Sequence, residues 1–157
     1  MAVNRLLQRW VLASVAKHLH AAAAEINLPL HVEFLDTRSA AFKSAPLKAE
    51  ATIIGPATRH LSPGFTHVVC AVFVKVSSVP ALDTNAWGHS DAVGRLQSAL
   101  HECIMVKKYA VGEASPDEVF VLEHRPDQPV NVTNLTPSVT DQLLHSVINA
   151  EYRGYIL

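Results

Sequence analysis

Strict alternation of apolar side chains between residues 67 and 76 constrains the fold of this chain more than any other feature. Every second position from Val68 to Val76 is valine or cysteine, and the positions between them are mixed. Successive side chains of a β-strand point to opposite faces of a sheet, and β-branched residues favour that conformation. The pattern therefore predicts a strand with one buried face, formed by Val68, Cys70, Val72, Val74 and Val76.

Other segments show the same two-residue period. Strands are predicted over residues 31–35, 47–54 and 119–122. Between residue 54 and the strongest strand lies a connection, residues 55–64, that begins with Gly-Pro and ends with Pro-Gly. It is longer than a tight chain reversal needs, so it is predicted to project from the sheet as a hairpin arm.

Two segments repeat apolar residues at three- and four-residue spacing and are predicted to be helices. The first covers residues 4–25. The second begins near Ser90, which is a suitable N-cap, and Lys107 and Lys108 suit its negative C-terminal end. Its predicted apolar face consists of Val93, Leu96, Leu100, Cys103 and Ile104.

The last third of the chain is less regular. Residues 125–137 contain three prolines and are predicted to form a surface loop. Residues 140–156 fit both a strand and a helix by their spacing. The aromatic and β-branched residues near the end favour a strand.

Together these elements predict an α+β fold in one domain spanning residues 1–157. The domain is expected to contain an antiparallel β-sheet of about four to five strands, two packed helices and a long projecting hairpin. A chain of 157 residues, 49% of them hydrophobic, can bury an ordinary core without a disulfide or a structural metal.

The charge of the chain limits the classes of partner it could bind, and its cysteines indicate the redox state of its compartment. The formal net charge of −1 offers no basic field for long stretches of nucleic acid or for an anionic membrane. Cys70 and Cys103 form no Cys-x-x-Cys pattern, which favours a reducing compartment. No apolar stretch reaches the ~18 residues of a membrane-spanning helix, so no membrane association is predicted. Residues 1–24 share the basic, acid-free character of mitochondrial presequences, but their apolar spacing favours an ordinary amphipathic helix.

Nine histidines suggest metal or catalytic chemistry, but no pair has the spacing of a recognised site. His18 and His20 point about 200° apart around a helix, and His101 belongs to no HExxH motif. The sequence has neither a GxSxG nucleophile turn nor a glycine-rich phosphate loop. We therefore predict no metal, no cofactor and no catalytic residue, and we expect both cysteines to lie in the core.

Charged and apolar side chains in the connections are the remaining candidates for a functional surface. The predicted arm carries cationic and apolar residues, and Pro56 and Pro63 stiffen it. A stiff arm loses little conformational entropy when it docks. The candidate inter-subunit or ring contacts are Arg38, Lys43, Arg59, His60, Leu61 and Phe65.

The predicted order of helix, strands, long hairpin, helix, strand and final strand resembles the tail-terminator, or tail-completion, proteins of long-tailed bacteriophages. The similarity extends over nearly the whole chain. It begins with the amphipathic first helix, residues 4–25, and ends with an aromatic final strand, residues 147–157, which contains Tyr152-Arg-Gly-Tyr155-Ile-Leu.

The resemblance implies a structural virion protein with no enzymatic activity. Such proteins form a homo-oligomeric ring, usually a hexamer, that caps the tail tube and binds the head-completion or neck proteins. The ring would be built in the host cytoplasm, and DNA would pass through its lumen without specific binding, which suits a near-neutral chain. The alternatives are another phage neck or tail-tube component, or a small α+β enzyme or ligand-binding domain.

Overall fold

The computed structural model describes residues 2–79, 82–108, 117–135 and 143–156. Within these ranges the chain forms three helices and seven strands. The helices are α1 (Ala2–Glu25), α2 (Ala40–Ser44) and α3 (Leu82–His101). The strands are β1 (Leu30–Val32), β2 (Leu47–Ser62), β3 (Phe65–Ser78), β4 (Ile104–Lys107), β5 (Glu118–His124), β6 (Asn131–Leu135) and β7 (Leu144–Ile156).

The strands form an open, strongly curled sheet in the order β1-β2-β3-β7-β5-β4. β6 also pairs with β7, so β5 and β6 lie one after the other along the same edge of that strand. β1 runs parallel to β2, and the other pairs in the described residues are antiparallel. The α+β class agrees with the prediction, whereas the sheet has more strands than the four to five expected and a third, short helix is present.

The core lies between one face of this sheet and helices α1 and α3. The buried residues of β3 are those that alternation predicted: Val68, Cys70, Val72, Val74 and Val76. The side chains that cover them come from the stripe on each helix and include Val11, Val15, Leu19, Leu96 and Leu100. From β7, the buried Tyr152 donates its hydroxyl hydrogen to the carbonyl of Leu100. Burial of this apolar surface is the main favourable contribution to folding.

The second predicted strand is longer than expected. Gly55-Pro56 does not end it, because β2 continues to Ser62 and pairs with β3 over most of that length. The register slips by one residue between Ile54 and Ala57, and Gly55 has a φ of 104°, which glycine adopts readily. The resulting β-bulge accommodates Gly55-Pro56 outside the regular ladder, so pairing resumes beyond it. Residues 55–64 are therefore mostly strand and not a loop.

The second predicted helix is wrong at both ends. The proposed N-cap Ser90 lies inside α3, which begins at Leu82. α3 ends at His101, and Ile104–Lys107 forms strand β4 beside β5. Ile104 and Val106 are buried whereas the residues that alternate with them are half-buried, which is the period of a strand. Cys103 lies between the two elements and is exposed, so its predicted place in the core is also wrong.

The structure differs from the predicted elements at three further places. The predicted loop 125–137 contains strand β6, and its last two residues lie outside the described ranges. The first strand ends at Val32, because the carboxylate of Asp36 accepts a hydrogen bond from the Val32 amide and turns the chain. Ser39 caps α2, a helix that the sequence did not predict, by accepting a hydrogen bond from the Phe42 amide.

The final segment is a strand, as its aromatic and β-branched residues indicated, and β7 pairs with β3 over its whole length. Residues 140–142 and Leu157 of the predicted segment lie outside the described ranges. No helix in the described ranges has both the length and the apolar character needed to cross a bilayer.

Candidate functional site

Four of the six predicted contact residues lie together at the distal end of the β2–β3 hairpin. Arg59, His60 and Leu61 are on β2, and Phe65 follows the turn at the start of β3. The first three are exposed, and Leu61 exposes 49% of its surface. We call this group, together with the turn, the arm tip.

Aromatic stacking fixes the shape of the arm tip. The ring of Phe65 stacks on Tyr155 of β7 at a centroid distance of 5.2 Å, and Tyr155 stacks on His67 at 5.0 Å. On the other strand, His60 Nδ1 lies 2.9 Å from the hydroxyl of Thr66. The arm tip is therefore an ordered surface that combines a guanidinium, an imidazole and apolar side chains.

The other two predicted contacts do not belong to the arm tip. Arg38 forms ion pairs with Glu33 at 3.3 Å and Glu50 at 3.6 Å, so its charge is balanced by local carboxylates. Lys43 is exposed in α2, near the start of β2. Glu50 and Arg59 are nine residues apart on β2, and because the bulge takes up one of these residues, this corresponds to roughly 25 Å along the strand. The six residues therefore form at least two separate surfaces.

The bulge in β2 creates a shallow cleft of about 250 Å³ beside the arm. Its apolar walls include Ile54, which is 56% exposed, and Val69. At its rim the guanidinium of Arg125 donates to Glu151 at 3.3 Å and to Asp127 at 2.9 Å. The hydrogen bond from Arg125 lowers the pKa of Asp127 below its ordinary value. Sequence periodicity does not reveal this cleft, because a β-bulge is not visible in the alternation pattern.

The sequence pattern also gives no signal for a buried polar network between α3 and the sheet. His89 of α3 lies with Nδ1 2.9 Å from the Ser78 hydroxyl and Nε2 2.8 Å from the Ser146 hydroxyl. Ser146 donates in turn to the side-chain oxygen of Asn134 at 2.6 Å. These bonds require the tautomer with hydrogen on Nε2 of His89. Through these bonds Ser146 links α3 to β6 and β7. Because Ser146 is only 2% exposed, a substrate cannot reach its hydroxyl.

A second cleft, of about 390 Å³, lies between α1, the end of β1 and α2. His20 Nε2 is 2.8 Å from the carboxylate of Asp36, which also accepts a hydrogen bond from the Val32 amide. The buried His31 lines the same cleft, and its Nδ1 has no hydrogen-bond partner among the described residues. Asp36 thus ties helix α1 to the turn after β1.

The candidate metal-binding and thiol groups of the described ranges are limited to scattered side chains and two free cysteines. No group of three or more histidine, cysteine, aspartate or glutamate side chains there is placed to hold a metal ion. Burial raises the pKa of the Cys70 thiol to about 12, so it is protonated and unreactive at neutral pH. Cys103 is exposed and free.

No protein-family model matches this sequence, and no curated protein matches it. Among the solved structures, 17 chains are similar to it. One of them aligns over 94% of this chain and 94% of its own, with 16% sequence identity and a TM-score of 0.54. Its designation names no activity, ligand or partner. At this level of identity the likeness shows the fold alone.

Proposed function

We propose that this chain is a phage tail terminator: a structural virion protein that forms a homo-oligomeric ring, most simply a hexamer. The ring caps the last ring of the tail-tube protein and offers its other face to a head-completion or neck protein. The proposal starts from the resemblance in element order. The observation that carries it further is the ordered, exposed arm tip, a surface suited to contact with another subunit or ring.

The arm tip supports an assembly role because it combines rigidity with mixed polarity. Leu61 supplies apolar surface, and Arg59 and His60 supply directional polar groups on the same hairpin. Since stacking already fixes Phe65 against Tyr155, the Phe65 side chain loses little conformational entropy when the arm tip docks. Arg38 pairs with Glu50, roughly 25 Å along β2 from Arg59, and Lys43 lies near the start of the same strand, so both would contact a different neighbour.

The charge of the chain fits passage of DNA through such a ring. A net charge of −1 provides no strong field that would retain a polyanion in the lumen. The protein would accordingly be found in the host cytoplasm during assembly and in the neck of the finished virion. No cofactor, metal or membrane enters this role.

The decisive experiment removes the chain during phage assembly. Particles made without it should carry tails of uncontrolled length or tails that are not attached to heads. In complete particles, the ring at the head-proximal end of the tail should contain this chain. A complementing copy with Leu61→Asp and Arg59→Glu should fail to restore normal tails, whereas the exposed helix variant Gln8→Glu should restore them.

Normal tails joined normally to heads in the absence of the chain would end this proposal. A neck or tail-tube role would be indicated instead if the chain occurred in a different ring of the particle. If the chain occurred in no ring, a small α+β enzyme or ligand-binding domain would become the leading interpretation.

A further inference from the structure

The outer edge of β2 is covered over only a short length. β1 pairs with Ala49, Glu50 and Ala51, and no other strand of the described residues pairs with that edge. Residues 57–62 are exposed throughout. An exposed strand edge presents rows of unpaired amide and carbonyl groups, which readily pair with another chain.

The ladder registers show which backbone groups face this edge. The Ala49 amide donates to Pro29 and the Ala51 carbonyl accepts from Glu33, so both residues direct their backbone groups away from β3. Backbone direction alternates along a strand, and the bulge adds one residue before pairing resumes at Ala57. Thr58 and His60 therefore direct their amide and carbonyl groups to the free edge.

A second free edge lies on β6, across the sheet from β2. The Glu151 carbonyl accepts from the Arg125 amide, which shows that the odd-numbered residues of β7 direct their backbone groups away from β3. Thr133 is paired with Val147 and so points toward β7, whereas Val132 and Asn134 point outward. No strand of the described ranges pairs with that outward edge, and Thr133, Asn134 and Leu135 are exposed.

We infer that copies of this chain join edge to edge, with the free edge of β2 in one copy pairing with the β6 edge of the next. This inference rests on the proposed ring and names the contact that builds it. Both edges belong to one sheet and do not overlap, so each copy can use both at once. Such a head-to-tail contact, repeated around an axis, produces a closed ring when the rotation closes.

Apolar side chains accompany both edges. Ile54 and Leu61 lie on β2, and Leu135 lies on β6, and each is more than two-fifths exposed. Burying them at the join would add hydrophobic stabilisation to the main-chain hydrogen bonds. Pairing of β2 with β2 of a second copy would consume the same edge in both and stop at a dimer, so the occupant is the β6 edge.

Chemical cross-linking tests this contact. Arg59 and Thr133 are both exposed and lie on the sheet face opposite the core, so in a continued sheet their side chains share one face. In a Cys103→Ser background, Arg59→Cys combined with Thr133→Cys should give a ladder of covalent multimers with a short bismaleimide. Either cysteine alone should give none. Purified protein at high concentration and assembled tails should both be treated.

A proline variant tests the hydrogen bonding itself. Thr58→Pro removes an amide that faces the free edge and leaves the pairing of β2 with β3 intact, so it should abolish the ladder while the thermal transition is retained. The matched control Thr58→Val keeps the amide and should retain the ladder. A ladder that survives Thr58→Pro with unchanged yield overturns edge pairing.

The outcomes separate this contact from the proposed function. Dimers formed by Arg59→Cys alone would indicate β2–β2 pairing and overturn the inference. A tail ring that contains the chain but yields no ladder would overturn edge pairing and leave the tail-terminator role standing. A ladder from purified protein that is absent from every tail ring would retain the contact and remove the function.

Discussion

At the scale of single residues, His89 is buried and still has a hydrogen-bond partner for each ring nitrogen. The residue is 9% exposed, and both ring nitrogens have serine hydroxyl partners. Burial, with a smaller contribution from nearby His145, lowers the pKa of His89 below its ordinary value. The folded protein therefore holds the neutral ring at a pH where the unfolded chain already binds a proton.

This difference predicts the sign of a pH effect. As pH falls through about 6.5, the unfolded state takes up a proton at His89 before the folded state does, so the free energy of unfolding decreases. The stability advantage of the wild type over His89→Gln should consequently shrink between about pH 8 and about pH 5. Urea unfolding at a series of pH values measures it. Ser78→Ala, which keeps the ring, should remain nearly parallel to the wild type, and a constant difference for His89→Gln would contradict the argument.

The two cysteines should differ sharply in reactivity. Cys103 is exposed, whereas Cys70 is buried with a pKa raised to about 12. A bulky thiol reagent should therefore modify one cysteine per native chain, and modification should disappear in Cys103→Ser. Both thiols should react after unfolding in denaturant. Rapid modification of native Cys103→Ser would show that the face of β3 is not closed.

Leu100 tests the core at the level of one side chain. It is fully buried on α3, and its carbonyl also accepts the hydroxyl hydrogen of Tyr152. Leu100→Ala should lower the free energy of unfolding by about 2–5 kcal/mol, because it leaves a cavity that the sheet cannot fill. Denaturant titration monitors the loss. The exposed Leu61→Ala should change stability by less than about 0.5 kcal/mol, and equal effects would contradict the assigned burial.

At the scale of elements, the sheet depends on the close approach of β5 to β7. A Cβ on Gly154 would lie 2.6 Å from the Val121 carbonyl oxygen and 2.8 Å from the Phe120 ring, closer than real contacts allow. Gly154→Ala should destabilise the protein by about 1–3 kcal/mol, because β5 must move away. Chemical denaturation measures this change.

Gly94 provides the matched control for that substitution. It lies within α3, and a Cβ there would meet nothing within 4 Å. Gly94→Ala should raise the free energy of unfolding by about 0.5–1 kcal/mol, because alanine loses less backbone entropy in a helix. Similar losses in both variants would show that packing at β5–β7 is not the cause.

At the scale of the whole molecule, the long β3–β7 ladder forms the middle of the sheet. β3 and β7 pair along 13 residues, and both contribute to the same core as α1 and α3. The sequence predicted one domain, and a shared core of this kind implies that the described elements unfold together. Far-ultraviolet circular dichroism and tryptophan fluorescence should give coincident thermal transitions. Two separated transitions would show that the chain contains independently stable parts.

The sequence alone determined the elements whose signal is local. The alternation around Val72, the apolar stripe containing Leu96 and the aromatic end near Tyr155 each correspond to the predicted element, because periodicity depends only on neighbouring residues. Pro56 and Pro63 also marked the segment that leads to the arm tip, whereas the role of the arm tip as a contact stays a prediction.

The tertiary structure alone decided the features that depend on distant partners. β2 passes through Gly55 because β3 supplies a ladder beyond the bulge, and Ile104 joins a strand because β5 lies beside it. Arg38 is separated from the arm tip because β1 pairs with Ala49–Ala51 of β2, which places Arg38 beside Glu50 and far along the strand from Arg59. In each case, hydrogen bonds and burial that a remote segment provides outweigh the local preference. The local sequence pattern contains no information about that segment.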